Sequence, residues 1–571
     1  MLNLLFYHAN TIYFQGLTNS LFLSIVSIYF KTFVEVNKPE IASKINWHRP
    51  IQRQIDDDAL VNYCNDNKIH LLCLSVYLWN QQYVHDQIIR IKPRLHPDCK
   101  IMIGGPSVDV NINQNFFVQN SFADYAIYGP GEIAFADLVE HIINNKKLIA
   151  FNVSNLAWYD KSKEKQVVAD YKNVSQSQIS PFLYNKDFFK DIVEYEIKNN
   201  NYRIILPYEL TRGCPYACTF CDWNSGLSNK VSRRKNTYQE EIDLFQELNI
   251  SNLYFADANF GQYDEDIKIV EYLAKKNIEE NANFKTDGNL SKLKKDANLK
   301  IYHLFAQGDL VGRDWAFTFS VQDINEDVLK NIERPDVGWE VHKRMIMELH
   351  EHYPDYNSKV QFIVGLPGQT LETIKKSLTE IICCPNTVLC AFISELLPAS
   401  PAARDTEYQK KFQFTYSRAE RVDEGGNKFR GTFPRRCVSF DEKEFCKMMV
   451  LTSFITSYGV IKERIRWRDF DQSENAKKII QIFLESDYFE ILSNNLYYNW
   501  IEADKFYYTI NFDGKEQIVP GCNPGITGNN WADSIGFQKL LIGADLKDVG
   551  KNALYKKLKS LENWEGWFPN R

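Results

Sequence analysis

A chain of 571 residues is too long for one compact core, so roughly two to four domains are expected. Its 44% hydrophobic, 25% charged and 14% aromatic residues exclude a largely disordered protein and ask for well-filled interiors. A formal charge of −6 with no long basic run speaks against nucleic-acid tracking or an anionic membrane surface. Twelve cysteines without the dense framework of a secreted miniprotein fit a reduced, cytoplasmic protein that uses a few of them as ligands.

Residues 2–7 are short and apolar, as in a buried strand. Residues 17–33 (LTNSLFLSIVSIYFKTF) resemble a signal or membrane helix in composition. No Lys or Arg precedes them, however, polar Thr18, Asn19, Ser20, Ser24 and Ser27 interrupt them, and Lys31 ends the run. Leu17, Leu21, Ile25, Ile28 and Tyr29 fall near one helical face, so a helix packed on a sheet is expected, with no membrane span. Strands follow at 69–77, at 100–103 ending in Gly104-Gly105-Pro106, and at 123–128 ending in Gly129-Pro130-Gly131-Glu132. Helical patterns lie at 81–92 and from Glu132 to His141. Alternation of this kind predicts an α/β fold whose first 150 residues form a doubly wound, Rossmann-like parallel sheet, with ligands outside the carboxyl ends of its strands.

Residues 151–200 are expected to connect this domain to a second alternation over 201–415. Its strands are predicted at 203–210, 252–256, 284–286, 315–321, 359–366 and 387–397. Helices lie between them, one of them opened by Thr237 and Glu240 at capping-box spacing. Six βα units suit an open, partial (β/α)6 barrel of the TIM type. Residues 416–571 change to a mixed α+β character, with helices near 442–458 and 474–485. A hairpin at 506–519 turns on Asp513-Gly514, and the region is expected to cap the site or hold substrate.

The chemistry concentrates in residues 211–226, TRGCPYACTFCDWNSG. Cys214, Cys218 and Cys221, at i, i+4 and i+7, put three soft thiolate ligands on one loop after a strand. An iron–sulfur cluster normally takes four, so three leave one iron open to a substrate. Structural zinc needs a fourth ligand close by, and no other Cys or His lies between residues 142 and 302. Asp222 would make an unusual Cys3Asp site. Buried structural thiols are the remaining alternative.

This motif, followed by Asp222-Trp223 and preceded by a doubly wound domain, resembles the cobalamin-binding-domain radical SAM enzymes. The likeness extends to about residue 405, through GGP at 104–106, ADYAIYGPGE at 123–132, SPFL at 180–183, ADANFG at 256–261, FIVGLPGQT at 362–370 and ELLPASPAA at 395–403. It implies a 4Fe–4S cluster on Cys214, Cys218 and Cys221, with S-adenosylmethionine chelated to the open iron. By position, Ala256, Asp257 and Asn259 would meet the methionine amino group, and Ser320 and Gln322 the ribose and carboxylate. Gly365, between Val364 and Leu366, would meet the adenine; a packed strand with a Pro-Gly turn explains it equally. Arg212 would balance charge at the cluster or form a structural salt bridge.

The resemblance further implies cobalamin in the first domain, although residues 1–150 lack the Asp-x-His-x-x-Gly motif that gives many cobalamin proteins a cobalt ligand. His8 lacks both flanking residues of that motif. The loop after the strand at 69–77 would lie under the corrin, offering Tyr77, Leu78, Trp79 and Asn80. Gly104, Gly105, Gly129 and Gly131 would let backbone approach the nucleotide tail, next to Glu132 at a helix start. Cys383, Cys384, Cys390, Cys437, Cys446 and Cys522 read as buried or isolated thiols, and the loop Gly521–Gly525 as surface. The expected function is a cobalamin-dependent C-methyltransferase acting on a small molecule or peptide, fed by an external flavodoxin- or ferredoxin-type donor. Radical cyclisation, rearrangement or oxidation without methyl transfer is the alternative, and a non-catalytic cobalamin or metal binder a third reading.

Overall fold

A computed structural model describes residues 1–497 and the strands 507–512 and 515–520. Within the first span, positions 11, 16–17, 78, 109, 111–112, 147, 174–177, 224–230, 236, 313–315, 336, 398–399, 423–427, 466–471, 487–488, 491–492 and 495–496 are excepted. Leu78, the Asp513-Gly514 turn and the loop around Cys522 therefore lie outside the described residues.

The first domain is built on β1 (Leu2–Asn10), whose side chains are buried almost throughout. The chain then passes through β2 (Ile12–Gln15), β3 (Thr18–Phe22), a helix over Val26–Asn37, β4 (Ile45–Trp47) and β5 (Ile51–Arg53). Next come β6 (Leu71–Ser75), β7 (Lys100–Gly104), β8 (Tyr125–Ile127), β9 (Leu156–Asp160) and β10 (Lys165–Val168). One sheet runs β10-β9-β8-β7-β6-β1-β4, with β5 also on β1. Its pairs from β8 to β4 are parallel, and β9 and β10 add an antiparallel edge. Apolar clusters on both faces, one around Leu5, Tyr7 and Leu72 and the other around Phe6, Phe30 and Phe135, explain the continuous hydrophobic runs of β1 and β6. The segment expected to be a mere connector thus supplies two strands of this sheet.

The helix expected at 17–33 begins only at Val26. Residues Thr18–Phe22 form β3, which pairs in parallel with β11 (Tyr202–Tyr208) through Leu21↔Ile204 and Phe22↔Ile205. Pairing with a strand 180 residues away outweighed a local helical period that spanned only a few turns. The first domain thereby lends an edge hairpin to the second.

Beyond β11 come β12 (Thr211–Arg212), β13 (Ser232–Arg233), β14 (Asn252–Phe260), β15 (Lys285–Leu290), β16 (Ala316–Gln322), β17 (Asn357–Val364) and β18 (Thr387–Ile393). β15-β14-β11-β3 and β16-β17-β18 are two parallel ladders with helices between successive strands. A single parallel bridge, Thr286↔Val311, lies at the interval between them. Their shared core includes Phe255, Phe319 and Val360, and Met448, Phe454 and Phe483 from the C-terminal helices Glu442–Ile465 and Gln472–Leu484 close it. The antiparallel hairpin Tyr507–Phe512 with Lys515–Pro520 forms as expected. Among the described residues no helix is long and apolar enough to cross a membrane.

The end of β11 is locked by an ion pair. Arg234 and Glu241, both buried, meet at 2.5 and 2.7 Å, Tyr208 donates to the same carboxylate at 2.5 Å, and Arg234 Nε donates to the Glu209 carbonyl at 2.9 Å. Thr237 makes no capping box; its hydroxyl donates to Glu241 Oε1 at 3.0 Å instead. Removing one partner strands the other charge in the core. Glu241→Ala should therefore cost about 3–5 kcal/mol, read as a lower urea midpoint at pH 7, whereas Lys410→Ala, which breaks the exposed pair with Glu407, should leave that midpoint in place.

Candidate functional site

The cysteine loop leaves β11 through β12, which pairs antiparallel with β13 through Thr211↔Arg233 and Arg212↔Ser232. Gly213 turns the chain at φ +89°. The Thr219 N–H reaches the Ile332 carbonyl at 3.0 Å, the Ala402 N–H reaches the Thr219 carbonyl at 2.8 Å, and the Thr219 hydroxyl meets Tyr408 at 2.9 Å. The loop is thus tied to segments that follow β16 and β18. Cys214 and Cys218 are buried, Cys221 is half-buried, its N–H bonds the Cys218 carbonyl at 3.0 Å, and all three are free thiols.

Burial pushes the Cys218 thiol up, against the pull of Arg334 and Lys292. Burial also pushes Cys221 up to about 11, with the neighbouring Cys218 and Cys214 acting in the same direction. Asn259, near the carboxyl end of β14, donates to Cys214 Sγ at 3.1 Å. Lys292 lies 2.9 Å from Asn259 Oδ1 and 3.9 Å from Cys214 Sγ, with its ammonium 5.2 Å from the Tyr216 ring centre. Among the described residues no three His, Cys, Asp or Glu side chains are grouped to hold one metal ion. Three thiols on one loop instead suit a cluster, in which each cysteine takes a different iron.

Other expected residues stand around this loop. Asp257 is buried; its Oδ1 accepts the Leu210 N–H at 2.7 Å, joining β14 to the end of β11, and its Oδ2 has no hydrogen-bond partner among the described residues. Burial lifts its carboxyl to about 7, with Asp266 and Glu209 adding to the effect. Ala256 is half-buried one residue before it. The Ser320 hydroxyl lies 2.6 Å from Gln361 Oε1 and 3.1 Å from Asn289 Oδ1. Gln322 is buried at φ +72°, where the β16–β17 register shifts, a strained backbone of the kind that recurs at binding sites. Gly365 has φ +94°, and a Cβ there would stand 2.9 Å from the Phe445 ring. Close packing of the C-terminal helix against the end of β17 accounts for that glycine.

A polar pocket between the ends of β15 and β16 is lined by Ser291, Lys292, Lys295, Asn298, Ser320 and Arg334. Neither Lys292 nor Arg334 stood out in the sequence. Lys292 belongs to a run of lysines that reads as a solvated face, and Arg334 follows a short helix. Only their place just beyond strand ends could have drawn attention to them.

In the first domain the arrangement is more structural than expected. Asn80 is fully buried and wholly engaged: it donates to the His8 and Ser75 carbonyls, each at 3.0 Å, and accepts the Tyr77 N–H at 2.8 Å. Trp79 is 41% exposed and stacks on Tyr77 at 4.5 Å. Gly104 makes ordinary contacts with Ile127, whereas a Cβ at Gly105 would strike the Val76 carbonyl at 2.3 Å, so β6 and β7 themselves demand that glycine. Gly129 and Gly131 face the rings of Tyr171 and Phe30. Buried His8 holds Ser75 at 2.8 Å through Nδ1, and burial lowers its imidazole to about 3. Glu132 points not along its own sheet but to the cysteine loop: its Oε1 is 2.5 Å from Arg212, which also binds Glu209 at 2.9 Å. Of the expected residues, the structure therefore sets Asn259 against Cys214, places Asp257 at the root of the cysteine loop and links Glu132 to Arg212 just before it. Trp79, Asn80, Gly104 and Gly105 remain at the strand ends of the other sheet. Cys384, Cys390, Cys437 and Cys446 are buried thiols.

Residues 208–381 match the radical SAM superfamily. The chain is similar to the cobalamin-dependent radical SAM methyltransferase TokK of Streptomyces tokunonensis, at 25% identity over 65% of this chain and 53% of the relative. It is equally similar to the 2-(S-pantetheinyl)-carbapenam-3-carboxylate methyltransferase of Streptantibioticus cattleyicolor, at 25% identity over the same shares of the two chains. The chain thus spans about half the length of the curated relatives it matches. Among solved structures, the radical S-adenosylmethionine methyltransferase TsrM from Kitasatospora setae, with cobalamin and a 4Fe–4S cluster bound, shares the fold. Its TM-score is 0.56 at 13% identity, over 84% of this chain and 99% of that one. The cobalamin-dependent S-adenosylmethionine radical enzyme OxsB gives 0.56 and 13%, over 87% and 73%. Residues 208–381 accordingly carry the match to the radical SAM superfamily, within a chain that is similar to cobalamin-dependent radical SAM methyltransferases over 65% of its length.

Proposed function

We propose that this chain is a cobalamin-dependent radical SAM C-methyltransferase. Cys214, Cys218 and Cys221 hold a 4Fe–4S cluster, S-adenosylmethionine takes the open iron, and a small molecule or peptide receives the methyl group. One observation carries the reading: three free thiols share one loop whose base is paired, with Lys292 Nζ 3.9 Å from Cys214 Sγ and without a fourth Cys or His in that stretch of chain. When bound, the cluster supplies the electron that breaks a carbon–sulfur bond of S-adenosylmethionine, and cobalamin supplies the methyl group.

The chain's own residues position these groups. Asp257, with its unpartnered carboxylate oxygen, and the Ala256 carbonyl accept the methionine amino group, while Asn259 steadies Cys214. Ser320 and Gln322, at the strained end of β16, would take the ribose and carboxylate, and Gly365, just past β17, the adenine. The six parallel strands act as an open barrel with this machinery at their carboxyl ends. Trp79, Gly104, Gly129 and Gly131 of the sheet of residues 1–150 would hold cobalamin, while Glu132 ties that domain to Arg212 at the base of the cysteine loop. Residues 416–571 cap the substrate. A cytoplasmic flavodoxin- or ferredoxin-type protein delivers the electron.

Three outcomes test this. Reconstituted without oxygen, the protein should bind about four iron and four sulfide, and Cys214→Ala, Cys218→Ala or Cys221→Ala should abolish that; stoichiometric zinc without sulfide would sink the assignment. Because burial keeps the Cys218 and Cys221 thiols protonated at neutral pH, cluster loading must release protons. Retention of iron against a chelator should therefore strengthen as pH rises from about 6.5 to about 9, and a flat profile would contradict the burial of these ligands. With substrate, S-adenosylhomocysteine and deoxyadenosine should accumulate in equal amounts, both dependent on reductant. Deoxyadenosine with turnover but no S-adenosylhomocysteine would assign radical chemistry without methyl transfer.

A further inference from the structure

The ladder between β16 and β17 shifts register between Ser320 and Gln322, so backbone pairing alone does not fix how the two strand ends stand to one another. A buried side-chain pair supplies that link. Asp323 and Gln369 are 1% and 0% exposed. Gln369 Nε2 donates to Asp323 Oδ2 at 2.6 Å and to the Ile363 carbonyl at 2.8 Å. Its Oε1 accepts the Gly365 and Leu366 N–H groups at 2.8 and 2.9 Å. Asp323 Oδ1 accepts the Ile324 and Asn325 N–H groups at 2.7 and 2.9 Å and the Ser377 hydroxyl at 3.1 Å. The pair thus binds the chain just past β16, the end of β17 and the helix Leu371–Ile382 to one another. Two residues of left-handed backbone adjoin it. Gln322, at φ +72°, directly precedes Asp323, and Gly365, at φ +94°, gives its N–H to Gln369. Gln322 has a side chain, so its conformation persists only because the surrounding bonds hold it.

We infer that Asp323 and Gln369 are positioning residues for S-adenosylmethionine, fixing the separation and orientation of Gln322 and the Gly365 turn. The inference rests on the reading proposed above, in which those two positions meet opposite parts of that ligand. Neither Asp323 nor Gln369 touches the ligand itself. A ligand held between two strand ends must quench any freedom they have, and that ordering weakens binding. With the pair in place the ends are ordered before the ligand arrives. The chemistry of the pair suits a latch, because an ionised carboxylate only accepts and so faces the amide nitrogen. Reversing the Gln369 amide would set its oxygen against Asp323 and its nitrogen against two N–H groups. In a buried site no water relieves such mismatches. The pair has no part in holding iron, so cluster content is independent of it.

The test is the dissociation constant of S-adenosylmethionine, measured by equilibrium dialysis on the full-length, anaerobically reconstituted protein. Asp323→Asn keeps the shape of the side chain and an acceptor for Ile324, Asn325 and Ser377, but turns an amide nitrogen toward that of Gln369. It should weaken binding at least about tenfold, with iron and sulfide unchanged. Adding Gln369→Glu restores an acceptor opposite the new amide, and the double variant should bind at least about threefold tighter than Asp323→Asn alone. A purely structural loss would lower the unfolding midpoint, and a second substitution in the core would not regain affinity. Parent-like affinity in Asp323→Asn with full iron and sulfide overturns the inference and leaves the proposed function intact. A double variant that binds no better than Asp323→Asn overturns it too. If Asp323→Asn fails to hold a cluster, Gln369→Leu carries the same measurement, with weakened binding supporting the inference and parent-like binding overturning it. Loss of the cluster from Asp323→Asn and Gln369→Leu alike also overturns it, because a structural role then suffices. A parent protein that holds no iron and sulfide, or binds no S-adenosylmethionine, instead refutes the proposed function itself.

Discussion

Ionising any of the three thiols on the cysteine loop would bury charge, and that cost is the constraint on which the site depends. Burial alone holds Cys218 and Cys221 in their neutral forms. Lys292, Arg334 and the Asn259 amide stand where they oppose it. A loop free to move would let water do the same work, but this one is pinched by β12 and β13 and tied to two later segments. Rigidity and charge compensation are therefore one design, since a cation stabilises a charge it cannot drift away from.

Rigidity at the loop traces back to the end of β11. The pair Arg234–Glu241, with Tyr208 on the same carboxylate, fixes the strand to the helix Tyr238–Glu247 in a space where neither charge can be rehydrated. Asp257 holds the next residues by accepting the Leu210 N–H. The loop thus leaves a strand end secured from two sides before its first cysteine is reached.

The same loop joins the two domains. Arg212, two residues before Cys214, binds Glu132 at the first turn of a helix of the N-terminal sheet. β3, contributed by the N-terminal chain, pairs with β11, which carries the loop. The two sheets are thereby held to one another at the root of the cysteine loop. The glycines expected to cradle a nucleotide are shaped largely by contacts within the domain, Gly105 against Val76 being the clearest. A strand-end glycine serves backbone packing and ligand approach by the same lack of a Cβ, so sequence alone cannot separate the two uses.

The sequence by itself determined the order of elements and the ligand loop. Long apolar runs broken by glycine-rich turns declared the parallel strands, and the spacing of Cys214, Cys218 and Cys221 marked the candidate ligand loop, because both are properties of adjacent residues. Tertiary structure decided what distant residues do to one another. It made Thr18–Phe22 a strand instead of a helix, sent Thr237 to Glu241 instead of a capping box, and turned Glu132 toward Arg212. It also brought Lys292 and Arg334, 78 residues and more along the chain, to the thiols of the loop. Each of these depends on a pairing energy between segments far apart in sequence, which exists only after the strands have set the distances between them.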